Sequence, residues 1–571
     1  GRAEPPITAV ARDRRLPLSF AQERLWFLDR LQPGTAQYNI PVALRLRGAL
    51  DVAALAAALS WLIARHEVLR TRLPEDETGP HQVIAPAAPV ALQARPVADE
   101  AALEQALHQA AVQPFDLAAG PLLRVHLWSL GTHEHALLLN IHHVASDGWS
   151  NGVLLDELAH AYDAFAAGAA PTRAPAPIDY ADFACWQRQW LQGEALERRL
   201  AYWRATLAGA PVLALPTDRP RPPMQSVRGA QLPLAFDAGL GEALETLARA
   251  QGVTPFMLLL AAFGAVLARW SGQEDIVVGS PIANRNRAEI EPLVGFFVNT
   301  LALRLDLQAD PTIGELLARV RRTTLDAYAH QDAPFEQVVD ALDLPRDTSR
   351  TPLFQVMLVL QNTPQRAPAC AGLTLEPLWS DTAVAKFDLT LALEQTEEGL
   401  VGAIEYAAEL FEADTIARLA AHLKLMLDAM VADPARRLSE IDLLSDTERA
   451  QLAEWNSTAM EMQEYRSAVA LFEQQVERTP NQIAAVFGAR HLTYEQLNRK
   501  ANQVAHALID RGISPDTRVA LSMERSLEMV AALLGILKAG GAYVPLDPGY
   551  PKERLRFMLE DSAAPVVITQ T

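Results

Sequence analysis

The residues of this chain best suited to chemistry lie in one short stretch. Residues 136–150 read ALLLNIHHVASDGWS, so His142 and His143 are adjacent, and Asp147 and Gly148 follow four and five residues after the second histidine. An imidazole with an ordinary pKa of about 6.5 takes up or returns a proton near neutral pH. Beside it, a backbone N–H can hold an oxygen on which negative charge develops. Together these suit acyl transfer, in which a base accepts a proton from a nucleophile while the acyl oxygen becomes an oxyanion.

Such groups act only if the backbone presents them. The apolar run before the histidines reads as a strand, on which successive side chains point to opposite faces. Leu137, Leu139, Ile141 and His143 then share one face, while Leu138, Asn140 and His142 share the other, so one histidine is expected to be structural. Parity alone leaves open which face lines a cavity. After Ser150, the residues Leu154, Leu158, Tyr162 and Phe165 recur at helical spacing, with Asp156 and Glu157 near the helix start. The unit is therefore strand, turn, helix, with free N–H groups at the helix entrance beside the strand end. A histidine pair packed in a core is the plainer alternative, but the pattern His-His-x-x-x-Asp-Gly between strand and helix favours catalysis.

Composition narrows the classes. The 571 residues allow three or four compact units, and the formal charge of -19 without any Lys/Arg block argues against nucleic acid or an anionic membrane as partner. Cys185 and Cys370 lie far apart with no ligand-like spacing, so no disulfide framework and no metal site is expected, which fits a cytoplasmic location. The polar, proline-bearing start reads as neither signal peptide nor anchor. The longest apolar run, Phe256 to Ala268, is too short to cross a bilayer core of about 30 Å as a helix and reads as a buried core helix.

Along the chain, Leu25, Leu28 and Leu31 make a stripe ended by Pro33-Gly34, and Leu50 to Arg70 carries Leu55, Leu59 and Leu62 on one helical face. Trp186 and Trp190, four apart, suggest a helix packed on a core. The Pro-rich stretch 211–223 is the best candidate for a crossover between two lobes. Leu240 to Trp270 reads as helical, DIVVGSP as a buried strand, and Arg285 and Arg287 lie just past its end. Helices and strands alternate throughout, which argues an α/β layered fold. From Ala435 the text becomes polar and reads as a linker. A second α/β region follows, and it reads as the beginning of a domain rather than a whole one.

Seven separated segments, LSFAQERLWFL, RHEVLRT, IHHVASDGWS, YADFACW, VGFFVNTLALR, HQDAPFEQ and RDTSRTPL, stand in the order found in the condensation domains of nonribosomal peptide synthetases. LTYEQLN and LKAGGAYVPLDP resemble the first two motifs of an adenylation domain. The resemblance implies two lobes like chloramphenicol acetyltransferase in a V-shaped pseudo-dimer: a linker at 1–15, an N-lobe at 16–180, a C-lobe at 181–440, a linker at 441–465 and a partial adenylation region at 466–571. It implies peptide-bond formation between thioesters on donor and acceptor carrier proteins, each delivered on a 4'-phosphopantetheine arm. The opening segment resembles the subtype that accepts an L-configured donor.

Carried over residue by residue, the resemblance makes His143 the active residue, with His142, Asp147 and Gly148 as its frame. Gly148 N–H is the expected oxyanion donor, and Arg285, ahead of Arg65 and Arg70, the expected cation partner of Asp147. Trp149, Ser150 and Asn299 are expected along the substrate tunnel. An α-amino group titrates near 8, so attack on a thioester needs a positioning acceptor or mild base, which a histidine supplies. No metal or tightly bound cofactor is expected; ATP and Mg would serve only a complete adenylation domain, and residues 466–571 are not expected to activate an amino acid alone. An epimerisation domain, a free acyltransferase using coenzyme A and a non-catalytic docking platform share the fold. The adenylation-like text downstream argues against the first two and the intact His143, Asp147 and Gly148 against the third.

Overall fold

The computed structural model describes the chain except residues 1–4, 175, 346, 362–369, 371, 379–383, 397, 461–466 and 571. It separates into two compact units, residues 1–450 and 451–571.

The first unit is built on two mixed sheets, each with its own core. One sheet has five strands in the order Leu373–Leu378, Asn39–Gly48, Glu134–His142, Leu123–Ser129 and Ala94–Pro96. Its central strand pairs antiparallel on both sides, Ile40 facing Ile141 and Leu123 facing Ile141. Helices Val52–Arg65 and Gly148–Ala166 cover one face. Asp51 caps the first of them through the Ala53 and Ala54 N–H groups, and Leu55, Leu59 and Leu62 are buried beneath it. Each such leucine stabilises the lobe by about 1.5–3 kcal/mol relative to exposure. The stripe expected at Leu25, Leu28 and Leu31 is only partly buried: helix Phe20–Leu31 buries Phe20, Gln22 and Leu25, and Leu31 is 64% exposed. The reason is a capping box in which Ser19 and Gln22 serve each other's backbone, turning Gln22 inward.

The other sheet has six strands, in the order Asn299–Asp306, Asp275–Ile282, Val356–Gln361, Leu389–Thr396, Gly399–Ala407 and Gly229–Asp237. The apolar run from Phe256 forms helix Pro255–Ser271, capped by Thr254 and ended by left-handed Gly272, with residues 257–267 buried. It is separated from helix Ala238–Gln251 by Gly252, also left-handed, so the helical text from Leu240 is two helices and not one.

The two lobes interleave. Helix Tyr180–Trp190 belongs with the first core through Tyr180 and Phe183, whereas the second core begins at Leu200 on helix Glu194–Leu207. The chain thus changes lobe near Gly193, before the Pro-rich stretch, and Leu213 of that stretch is already buried in the second core. Two segments return from the second lobe to the first: Ile290 to Phe297, whose apolar residues fill the first core, and strand Leu373–Leu378, which pairs with Asn39–Gly48 at the sheet edge. The polar text from Ala435 is not linker throughout, because Leu438, Ile441 and Leu443 are buried in the second core and Asp446–Trp455 is helical. The last linker residues, 461–465, lie outside the described residues.

Within residues 451–571, a parallel three-stranded sheet, Ala542–Pro545, Arg518–Ser522 and Val566–Thr569, packs with helices Tyr494–Ile509 and Leu527–Lys538 around Val519, Leu521 and Ile536. Among the described residues of the chain no single helix is long and apolar enough to cross a membrane.

Candidate active site

Strand Glu134–His142 is buried on both faces. Leu137, Leu139 and Ile141 point into the first core, and Ala136 and Leu138 pack with Leu103 and Leu107 of helix Glu100–Ala111. The strand ends at His142. His143 opens a single 3₁₀ turn, His143–Ala145, so the two-residue alternation expected to run through His143 stops one residue short of it. Instead the His143 backbone N–H donates to the Tyr38 carbonyl at 2.8 Å.

The two histidines have opposite surroundings. His142 is 4% exposed, its Nδ1 accepts the Val144 N–H at 3.1 Å, and its ring meets Phe115 edge-on at 5.8 Å. His143 is half-buried, its ring lies 4.6 Å from that of Phe296, and its Nδ1 sits 2.8 Å from the Ser146 carbonyl oxygen. A carbonyl oxygen only accepts, so Nδ1 carries the hydrogen and Nε2 is left as a bare lone pair. Burial pushes His143 down to about 4, with the Lys386 ammonium adding to it, while the Ser146 carbonyl and Asp147 pull the other way. Burial pushes His142 down to about 3, helped by His143 and Lys386. Both rings are therefore neutral at pH 7.

These values carry a testable sign. Each folded-state pKa lies below the unfolded value of about 6.5, so unfolding takes up protons as the pH falls below that value. Their stabilising contribution is intact above pH 6.5 and is lost on acidification toward 4 for His143 and 3 for His142. His142→Ala should lose about 2–3 kcal/mol through the cavity and the stranded Val144 N–H. In thermal melts it should start lower than wild type at pH 7.5 and lose less on going to pH 5. A His142→Ala protein that melts as wild type does yet has no activity would reverse the assignment of the two rings.

Asp147 is the N-cap of helix Gly148–Ala166 and is fully buried. Its Oδ1 accepts the Ser150 N–H at 2.8 Å and lies 3.2 Å from Arg285 Nη2, and its Oδ2 accepts the Phe297 N–H at 2.9 Å. Arg285 in turn donates to the Ile290 and Leu293 carbonyls at 2.6 and 2.7 Å and to Ser150 Oγ at 2.7 Å, and its guanidinium lies over Phe297. Burial lowers the Arg285 pKa and Asp147 opposes that shift. Ser150 Oγ also donates to the Gly295 carbonyl and accepts the Gly295 N–H. Gly295 has no room for a side chain, since a Cβ there would overlap the Tyr180 ring. The carboxylate is thus the knot that ties the 290–297 segment of the second lobe to the turn bearing His143.

Other expected residues stand elsewhere. Arg65 does not reach Asp147: its Nε donates to both oxygens of Glu157 at 3.1 Å, beside His66, because Glu157 faces it across the helix pair. Arg70 is also remote, donating to the Ala85 carbonyl. Ser150 is fully buried with its hydroxyl spent on Gly295 and Arg285, so it is a strut and not a tunnel wall. Asn299 lines a cavity with Phe20, Arg24 and Phe296, and its amide is held in place: its Nδ2 donates to the Gln331 and Ala333 carbonyls and its Oδ1 accepts the Phe335 N–H. Trp149 is 37% exposed and its Nε1 donates to the Glu291 carbonyl. Gly148 is exposed at the first helical position, where a backbone N–H has no intrahelical acceptor. Sequence reading missed Tyr38, Ser146 and Phe296, which frame His143 through a carbonyl, a carbonyl and a ring. Of these only Phe296 had a signal, in the aromatic pair of VGFFVNT.

His143 thus offers a neutral imidazole with a bare Nε2, and Gly148 a helix-entrance N–H without an intrahelical acceptor. Comparison with known proteins gives the family. The condensation domain model matches residues 12–453 and the AMP-binding enzyme model residues 472–571. A linear gramicidin synthase from Brevibacillus parabrevis is 49% identical over 99% of this chain, which spans 7% of that protein. The X-domain from teicoplanin biosynthesis, 37% identical, superposes with a TM-score of 0.73 over 77% of this chain and all of that one. The four-domain nonribosomal peptide synthetase AB3403 reaches a TM-score of 0.87 at 27% identity, over 98% of this chain and 43% of its own. The chain belongs to the condensation domain family of nonribosomal peptide synthetases, and an AMP-binding region follows that domain.

Proposed function

We propose that this chain joins an acceptor amine to a donor acyl thioester, both carried on phosphopantetheine arms of partner carrier proteins. The observation that carries this reading is the His143 ring: its Nδ1 is held by the Ser146 carbonyl and its Nε2 is a lone pair that can accept a proton. The amine nitrogen attacks the thioester carbonyl carbon, and the C–N bond forms as the carbonyl oxygen becomes an oxyanion beside the Gly148 N–H. Nε2 takes the amine proton, the C–S bond breaks, and the proton passes to the departing thiolate. An α-amino group with pKa near 8 is partly neutral at pH 7, so His143 needs to be no stronger a base than it is. Orientation of the two arms supplies as much of the rate as the base does. In this reading Asp147 and Arg285 hold the turn, and the opening segment LSFAQERLWFL supports an L-configured donor. The free thiols of Cys185 and Cys370 support a reducing, cytoplasmic compartment.

The test is mass spectrometry of an acceptor carrier protein after incubation with a loaded donor carrier and this chain. A mass gain equal to the donor acyl group is expected. An unchanged acceptor beside a donor that has merely been hydrolysed would overturn the proposal.

A further inference from the structure

Phe296, whose ring meets that of His143, also lines a cavity to which the first lobe contributes Arg24 of helix Phe20–Leu31 and the second lobe Glu336 of helix Phe335–Ala341. Most of the polar side chains in its wall are spent on the protein. Ser19 Oγ lies 2.8 Å from the Tyr180 hydroxyl, Gln187 Oε1 accepts the Phe20 N–H at 3.1 Å, the Asn299 amide is held as described above, and Asp332 pairs with Arg199. Arg24 and Glu336 are not spent in this way. Glu336 Oε1 is shut off from solvent and accepts no hydrogen bond. The Arg24 guanidinium rests 5.1 Å from the centre of the Phe335 ring, with no hydrogen bond or ion pair among the described residues.

A carboxylate oxygen buried without a donor costs the fold its desolvation and returns nothing. Burial raises the Glu336 carboxyl pKa and Arg24 opposes the rise, so the two groups sense each other without forming an ion pair. We propose that Glu336 is a binding residue for the arm of one carrier protein, its Oε1 accepting an amide N–H of the arm while Arg24 donates to the carbonyl of the same amide. The proposal rests on the function given above and names what grips an arm beside the site. A phosphopantetheine arm is built around secondary amides, and a trans amide points its N–H and its C=O in opposite directions. An ammonium would answer only Glu336 and a carboxylate only Arg24, whereas an amide answers both. Phe20 and Phe296 supply the apolar wall that the methylenes flanking the amide need. An amide held here places the arm against Phe296, the ring that meets His143. One cavity takes one arm, so the other carrier is indifferent to Glu336.

The test is calorimetric binding of each carrier protein to the full chain in two forms, holo with its bare thiol arm and apo without the arm. For one of the two carriers, Glu336→Met should weaken the holo form about tenfold and leave the apo form unchanged. Glu336→Gln, which keeps an acceptor oxygen, should fall between methionine and wild type. The other carrier should bind variant and wild type alike. In condensation assays the half-saturating concentration of the affected carrier should rise while the rate at saturation holds. Glu336→Met should melt no lower than wild type, because the oxygen removed holds nothing in the resting fold. Equal weakening with both carriers, no weakening with either, or a lower melting temperature without an arm-specific loss, the mark of an oxygen tied to structural water, would overturn the proposal. Binding is read without turnover, so wild type that grips the holo arm yet transfers no acyl group would count against the functional reading alone.

Discussion

His143→Ala should lose roughly 10²–10⁴ of the single-turnover condensation rate while melting within a degree or two of wild type. The rate falls because the Nε2 lone pair is the acceptor that the turn offers to the amine proton. The fold survives because the ring gives it little: Nδ1 bonds a carbonyl three residues away in its own turn, and the ring is half-buried against Phe296. The backbone N–H to the Tyr38 carbonyl, which does shape the turn, is untouched by the substitution. Residual activity above the uncatalysed rate is expected, since orientation of the two arms and the helix-entrance N–H remain. The measurement is single-turnover acyl transfer with both carriers, alongside a thermal melt. Wild-type turnover in a well-folded His143→Ala protein would remove the imidazole from the mechanism.

Asp147→Ala should behave in the opposite way. It strands the Arg285 guanidinium, which is 1% exposed, and breaking a buried pair of this kind costs about 3–5 kcal/mol. It also removes the acceptor of the Phe297 N–H and the cap of helix Gly148–Ala166, the latter worth about 1 kcal/mol. Melting temperature and activity should therefore fall together, and activity should partly return when the assay is cooled well below the new midpoint. Asp147→Asn retains an oxygen for the cap and should fall between the two. If Asp147→Ala melted like wild type and yet had no turnover at any temperature, the carboxylate would be acting on the reaction itself.

Much of this was legible because local rules acted locally. Helices Ala468–Arg478, Tyr494–Ile509 and Leu527–Lys538 start at the side-chain caps Ser467, Thr493 and Ser526, and strand Arg518–Ser522 follows the short apolar run RVALS. The pairing of Asp147 with Arg285, 138 positions apart, was reachable because a buried acid needs a cation. What misled was the side chain whose bonds are decided elsewhere. Ser150 has the residue type of a polar tunnel, but its hydroxyl is used by Gly295 and Arg285, which no spacing rule links to it. The alternation through His142 and His143 misled for another reason: a 3₁₀ turn begins between them, and period two holds only while the strand lasts.

The return of Leu373–Leu378 to the first sheet sets the unit in which this protein can be cut, swapped or shared. Residues 1–190 taken by themselves would leave strand Asn39–Gly48 as a bare edge, ready to pair with any extended chain. They would also lack the apolar residues of 290–297 that fill the first core. A hybrid joined near Gly193 therefore inherits a sheet and a core from two different parents, and its compatibility is decided at those two returning segments rather than at the join. Carrying residues 1–450 as one piece keeps both returning segments with the sheet and core they complete.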